Sequence, residues 1–472
     1  MTTTRRTSLA PAAAALALAL PAAAVAQSTT TPPPASTNPP PASDAAKPAA
    51  APAPAEQSQG LLPVPNYSGS FTERSTVLGD LGGFRNDLAA KGLTFSMDYT
   101  QVAQGVVSGG RRIDWDYGGN LDTLLIADLM RMNVLPGALL RFRVESRYGE
   151  TVNDDSGVIL PVNSPGFFPL TERPNEGIPI TITELNYTQF LCPQFGVTIG
   201  RFQTLDGDPN AFASGRGRTQ FMNMNFLFAG ATALVIPYAT LGAGVIVLPN
   251  DHITITSMVM NTKDSSTTSG FDQIENGWTS STQAEFQYKL GKLPGGMNFG
   301  FCYAWAGNFA DLGGRLELKP GVGVRLPNES TSWVFYWSGW QYLYTPDEAP
   351  AGKLDLSTGK PPLRGLGLFC RVGAADNNTN PVDWSISGGL GARGLIPGRD
   401  NDNCGIGYMY TDLETHHLRA LALESNTQGF EAFYNLYLTP AIGLTFDAQW
   451  VSGAQQNIND ATVLGCRLDI RF

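Results

Sequence analysis

The sequence predicts an all-β fold: a 16-stranded antiparallel transmembrane β-barrel, preceded by a disordered Pro/Ala-rich segment and a short helix. Three observations predict it. In the final stretch Thr462, Leu464, Cys466, Leu468, Ile470 and Phe472 alternate with Val463, Gly465, Arg467, Asp469 and Arg471. Successive strand side chains point to opposite faces, so this is a strand with one apolar face and one charged face. A membrane barrel shows the first to lipid and the second to a watery lumen. Next, only 15% of the chain is charged, yet beyond the N-terminus no apolar run approaches the roughly 20 residues of a membrane helix, which leaves a closed barrel as the way to span a bilayer. Finally, period-two stretches recur along the chain and are joined by connections that are alternately short and long, as hairpins crossing a membrane require.

The N-terminus reads as a secretory signal over residues 1–26, with Arg5 and Arg6 as its basic start, Leu9 to Val25 as its apolar centre and a small-residue cleavage site at Ala24-Val25-Ala26. Removing those two arginines from 31 basic residues leaves 29 against 41 acidic ones, a formal charge of −12. Such a chain is a poor partner for nucleic acid. Cys192, Cys302, Cys370, Cys404 and Cys466 are odd in number, scattered and without a CxxC pair, so they do not form a disulfide framework. Cys370, Cys404 and Cys466 fall on apolar faces and serve as small hydrophobes.

Residues 27–77 are read as a Pro/Ala-rich periplasmic segment, too polar and proline-rich at its start to bury a core. Residues 78–92 form a lead-in with a short helix, Phe84 to Lys91, stopped by Gly92. The barrel is expected over 93–472, with strands starting near 93, 121, 138, 180, 195, 238, 252, 280, 297, 330, 364, 381, 403, 427, 441 and 461. Short turns, such as Pro193-Gln194 and Thr439-Pro440, alternate with long connections such as 149–179, 203–237, 262–279 and 307–329. One connection breaks the rule: 345–363 is long where a turn is due. It is either a periplasmic insertion or a sign of a miscounted strand.

The segment LGDLGGFRNDLAAKG at 78–92, running into a Thr-Phe-Ser strand, resembles the start of the carbohydrate-selective, OprB-like porin family. Further matches are ITITELNYTQ at 180–189, TIGRF at 198–202, PYATLGAGV at 237–245 and, longest, GLGLFCRVGAADNNTNPVDWSISGGLGARGLIPGRDNDNCGIGYMYTD at 365–412. The resemblance implies an outer-membrane channel through which monosaccharides and small oligosaccharides diffuse into the periplasm, surrounded by outer-membrane lipid and assembled as a homotrimer, with no cofactor and no catalysis.

A diffusion channel works through its lining. On the third strand Ala138, Leu140, Phe142, Val144 and Tyr148 share the lipid side, which places Arg141, Arg143, Glu145 and Arg147 in the lumen. Lipid-facing arginines would cost about 2 to 4 kcal/mol each at mid-membrane, which decides the orientation. Parity adds Glu184 and Asn186, Asp383 and Arg393, Asp447 and Gln449, and Arg467, Asp469 and Arg471, and Arg201 of TIGRF is expected on the same charged wall. The 203–237 connection resembles the inward-folded third loop of porins, and its Asp206, Asp208, Arg216 and Arg218 are candidates for a constriction. Guanidinium and carboxylate groups each bond two adjacent hydroxyls, which suits a neutral polyol. Trp115, Trp340, Tyr342 and Trp384 are candidate rings for stacking on sugar, in competition with the interfacial girdle, to which Trp305, Trp333, Trp337 and Trp450 are assigned by parity.

Other motifs carry less. Gly389-x-Gly391-x-x-Gly394 lies inside an alternating strand with no helix after it, so it is not a dinucleotide loop. Asp400-Asn-Asp-Asn403 reads as a turn rather than a calcium site, and His416-His417 lacks further ligands for a metal. The alternatives to a sugar channel are a general or anion-preferring porin, a purely structural barrel, and an outer-membrane hydrolase acting through His252 on the seventh strand.

Overall fold

The computed structural model describes residues 60–170, 178–233, 235–314, 317–319, 323–415 and 422–472. The expected signal peptide, residues 27–59 and the His416-His417 pair lie outside them. Sixteen strands close into one antiparallel barrel. They are β1 Leu93–Gly110, β2 Trp115–Asp128, β3 Ala138–Gly149, β4 Ile178–Cys192, β5 Phe195–Gln203, β6 Ala239–Asn250, β7 Ile253–Asn261 and β8 Trp278–Leu290. The second half comprises β9 Leu293–Trp305, β10 Ser332–Tyr344, β11 Gly365–Ala375, β12 Val382–Arg393, β13 Asn403–Leu413, β14 Asn426–Thr439, β15 Ile442–Val451 and β16 Asn459–Arg471. Each strand pairs with its neighbours in sequence, and β16 closes on β1 from Asp98 opposite Arg471 to Gly110 opposite Asn459. Two short ribbons, Phe309–Ala310 with Asn328–Glu329 and Glu317–Lys319 with Gly323–Arg325, stand in the β9–β10 connection.

Alternation sets the two faces. Along β3, buried Arg141, Arg143, Glu145 and Arg147 interleave with partly exposed Phe142, Val144 and Ser146. The outer wall shows Ile180, Leu191, Ile199 and Ile406 with more than half their surface free, an apolar belt of the kind lipid covers.

The lead-in helix α1, Phe84–Ala90, ends at Gly92, whose φ of 97° suits a residue without Cβ. A Cβ there would lie 2.7 Å from the Asp128 carbonyl oxygen. Arg85 of this helix is 1% exposed. Its Nη2 donates to the carbonyls of Phe95 at 2.6 Å and Phe472 at 3.0 Å, and its guanidinium lies between the rings of Tyr67 and Phe95, 4.0 and 4.4 Å from their centres. The Val77 amide also donates to the Arg471 carbonyl at 2.8 Å. The lead-in thus clasps the first and last strands at the barrel seam.

The long connection between β10 and β11, residues 345–364, contains no further barrel strand. It is an insertion at the end of the barrel that carries the short turns, the lead-in helix and Phe472. The count of sixteen therefore holds.

Candidate permeation channel

The lumen is occupied by the connection between β5 and β6, residues 204–238, called L3 below. Its anchors are distributed around the wall. Asp208 pairs with Arg371 on β11 at 2.5 Å and accepts from Asn298 on β9 at 2.8 Å. The amides of Met222 and Asn223 donate to the two oxygens of Glu431 on β14 at 2.5 and 2.9 Å, and the Gly217 carbonyl accepts from Arg467 on β16. A side that lacks strand partners of its own would leave its polar backbone unpaired, and these side chains supply what a ladder would.

L3 also carries an apolar wedge. Phe221 lies 4.6 Å from Phe226, 5.2 Å from Phe369 and 4.8 Å from Phe433, ring centre to ring centre. Offset and edge contacts of this kind contribute about 0.5 to 1.5 kcal/mol per pair beyond area burial. The rings reach the wall because it is bare there: a Cβ on Gly391 would meet Phe212 at 2.7 Å, one on Gly405 would meet Phe221 at 2.8 Å, and one on Gly407 would meet Phe226 at 2.6 Å. Gly391, Gly405 and Gly407 of the 365–412 block, the first of them in the GxGxxG run, therefore make room for L3.

What L3 leaves open is polar. Four arginines and four carboxylates meet where L3 faces β2, β3 and β4. Arg143 donates to Asp122 at 2.8 Å, to Glu184 at 3.1 Å and to Asp206 at 2.7 Å, and Arg141 holds the other Glu184 oxygen at 2.6 Å. Arg216 bonds Glu145 and approaches Asp206 at 3.5 Å; Arg218 bonds Asp122 at 3.0 Å. Tyr238 donates to Glu145 at 2.8 Å and accepts from Arg216 at 2.6 Å. Charges taken this far from water persist only when fully paired. Most of the set is sealed, with Arg143 4% and Glu145 0% exposed, but the Asp206 side chain keeps 33% and Arg218 12%. The accessible edge continues through Asp98 to Arg471, 2.9 Å apart.

The remaining expected residues are distributed elsewhere. Asn186 donates to Glu184 at 2.9 Å, and Arg147 reaches the Phe167 carbonyl in the β3–β4 connection. Asp447 accepts from Gln449 at 2.9 Å, and Asp469 accepts from Thr100 at 2.9 Å, both buried on the inner wall. Asp383 sits at the irregularity that opens β12, and Arg393 at that strand's other end donates to the Pro361 carbonyl at 2.9 Å.

Four expectations are corrected. Arg201 stands opposite Leu185, which is 47% exposed on the outer wall, so it points away from the lumen. Its guanidinium is covered by the β7–β8 connection, donating to Ser265 Oγ at 2.9 Å and the Thr268 carbonyl at 2.8 Å. Trp384, 39% exposed with its ring 5.1 Å from that of Tyr410 and tilted 32° to it, and Trp115, 58% exposed, also face outward, whereas Trp340 and Tyr342 face inward. His252 lies in the exposed two-residue turn before β7, not on the strand, and has no nucleophile beside it among the described contacts.

Asp98, Asp122, Tyr238, Arg371 and Glu431 were not among the expected residues. Part of their signal was available in the pairing: an inward arginine such as Arg143 demands an inward acid nearby, and Asp122, opposite Glu145, lies two residues along the neighbouring strand from Leu124, the residue opposite Arg143.

A family model described as "Carbohydrate-selective porin, OprB family" matches residues 113–472. The high-pH structure of Pseudomonas putida OprB superposes with a TM-score of 0.72 at 19% identity, covering 86% of this chain and 100% of that one. The low-pH structure of Pseudomonas putida OprB gives 0.51 at 15% identity, over 85% and 99%. No curated protein matches this sequence. The structural likenesses speak for the fold and the family match for descent, and the chain belongs to the carbohydrate-selective, OprB family of porins.

Proposed function

We propose that the paired set around Arg143 and Asp206 is the filter through which this outer-membrane porin passes monosaccharides and small oligosaccharides. The observation that carries the reading is charge balance at an accessible edge: four guanidiniums against four carboxylates, with Asp206 and Arg218 still open to the lumen. A balanced site offers bidentate donors and acceptors to hydroxyls without attracting an ion of either sign. That favours neutral polyols over anions and supports this reading above an anion-preferring pore. Arg141, Glu145, Arg147, Glu184, Asn186 and Arg216 hold the accessible groups in place. Asp208, Asp447, Arg467 and Asp469 position L3 or the wall beside it, and Asp383 and Arg393 act at the two mouths. We extend the proposal to outer-membrane lipid around the apolar belt and to a homotrimer, the latter supported by the family resemblance.

Swelling of liposomes that contain the purified protein tests the filter, with glucose, a disaccharide and an amino acid of similar size as solutes. Sugars should enter faster than the amino acid, and Arg143→Ala should reduce that preference. Equal entry of all three solutes would make the pore unselective.

A further inference from the structure

The insertion between β10 and β11 does not hang below the barrel. Leu354 and Leu356 are 7% and 8% exposed and pack in one apolar cluster with Phe212 of L3 and with Trp340 and Tyr342 of β10. The Leu354 amide donates to Gln287 Oε1 at 2.7 Å, and Gln287 Nε2 donates back to the Leu354 carbonyl at 3.2 Å, fixing the segment to the inner face of β8. On the far side of the mouth, Lys360 Nζ lies 3.9 Å from the centre of the Tyr437 ring on β14 and 3.4 Å from the Pro440 carbonyl. In between, the Gly359 carbonyl accepts from Thr219 Oγ1 of L3, and the two backbones are so close that a Cβ on Gly359 would lie 2.3 Å from Gly215 Cα. The segment therefore crosses the mouth from β8 to β14 and touches the underside of L3 on its way.

The base of the insertion is pinned separately. Asp347 receives two hydrogen bonds from the Arg364 guanidinium, at 2.7 and 3.0 Å, and one from the Arg364 amide at 2.8 Å. A neck closed in this way lets the crossing part undock without disturbing β10 or β11.

From this geometry we infer that residues 345–364 form a second constriction in series with the filter, an exit gate whose Lys360 edge meets the solute on the periplasmic side. The inference rests on the proposed sugar-channel reading. Two narrowings in series each limit flux, and the tighter one sets the size cut-off. Lys360 lies on the Asp98–Arg471 side of the mouth, so a solute leaving the filter passes its amino group.

The test is single-channel conductance and liposome swelling with glucose, a disaccharide and a trisaccharide. The proteins are the full chain, a variant lacking residues 349–360 that keeps the Asp347–Arg364 neck, and Leu356→Asp, which undocks the segment without shortening it. Heat-modifiable mobility on gels reports that each barrel is closed. Both variants should conduct severalfold more than the parent and admit the trisaccharide. Lys360→Met should keep the cut-off and shift the reversal potential in a salt gradient toward cations. A folded deletion variant or a folded Leu356→Asp with unchanged conductance and cut-off would overturn the gate, and an unchanged reversal potential would remove Lys360 from the path. Absence of sugar entry through the parent protein would instead sink the channel reading itself, so the two failures are distinguishable.

Discussion

Arg371 Nε donates to Asp208 Oδ2 at 2.5 Å, and the two side chains are 0% and 2% exposed. Arg371 further donates from Nη1 to the Phe226 carbonyl at 2.7 Å and from Nη2 to the Ala213 carbonyl at 2.7 Å. One wall residue thus gathers three separate points of L3. Removing one partner of a buried pair leaves the other charge uncompensated, at about 3 to 5 kcal/mol. Arg371→Met should therefore release L3, visible as noisy, enlarged single-channel currents in a barrel that still closes. The double variant with Asp208→Asn should recover part of the loss. Currents as quiet as the parent's in the single variant would show that the phenylalanines, Glu431 and Arg467 hold L3 without Arg371.

The filter predicts a change of ion preference. Arg143 faces Asp122, Glu184 and Asp206 at once. Arg143→Ala leaves four carboxylates against three arginines, so the reversal potential in a salt gradient should move toward cation preference and glucose entry should fall. Asp122→Asn in the same background should move it back, and an unmoved potential in Arg143→Ala would place the narrowest point elsewhere.

The barrel was legible because period-two alternation is a local property, written on each strand separately: β3 and β16 declare their faces without reference to any neighbour. Charge on a strand is a weaker guide. Arg201 carries the same signal as Arg143, yet faces outward, since the carbonyls of the β7–β8 connection lie over it and replace the water it would lose. That distinction predicts opposite outcomes for two similar substitutions. Arg201→Ala should leave sugar selectivity and reversal potential unchanged and should speed proteolysis within 262–277. A loss of selectivity in Arg201→Ala would reverse its placement. An inward-folded 203–237 connection and an insertion at 345–363 were expected, but where they dock was not legible, because their contacts, such as Thr219 with Gly359 and Gln287 with Leu354, join residues far apart in sequence and follow no period.

The neck of the insertion gives a pH prediction. Hydrogen bonds from Arg364 hold the Asp347 carboxyl below the ordinary carboxylate range, against the contrary effect of burial. A carboxyl depressed on folding contributes stability above its unfolded value of about 3.9 and loses it as pH falls through the folded value. The neck is therefore intact from neutral pH down to that range and opens only below it. Both groups are partly exposed, so solvent screening keeps the contribution small. Cleavage within 345–364 by an acid-tolerant protease should be flat from pH 7 to 5 and rise below 4, and Asp347→Asn should show a modest rise already at neutral pH. A rise in the parent between pH 7 and 5 would mean that another group controls the neck.

The seam between first and last strands is secured by a residue outside the barrel. Arg85 gives hydrogen bonds to the carbonyls of Phe95 and Phe472 and lies between two aromatic rings. Bonds from a charged donor contribute about 1.5 to 3 kcal/mol each, and a guanidinium–ring contact about 0.5 to 2 kcal/mol. Some of this is lost to the Nε and Nη1 groups, which are buried without hydrogen-bond partners among the described residues. Arg85→Ala should therefore lower the temperature at which the folded band is lost on gels, while conductance and selectivity at room temperature stay as in the parent, because the filter lies further up the lumen. Arg85→Lys should recover little, since an ammonium cannot reach both carbonyls while stacking on Tyr67 and Phe95. An unchanged melting temperature in Arg85→Ala would mean that the β1–β16 ladder closes the barrel unaided, leaving the lead-in helix a passenger on the seam.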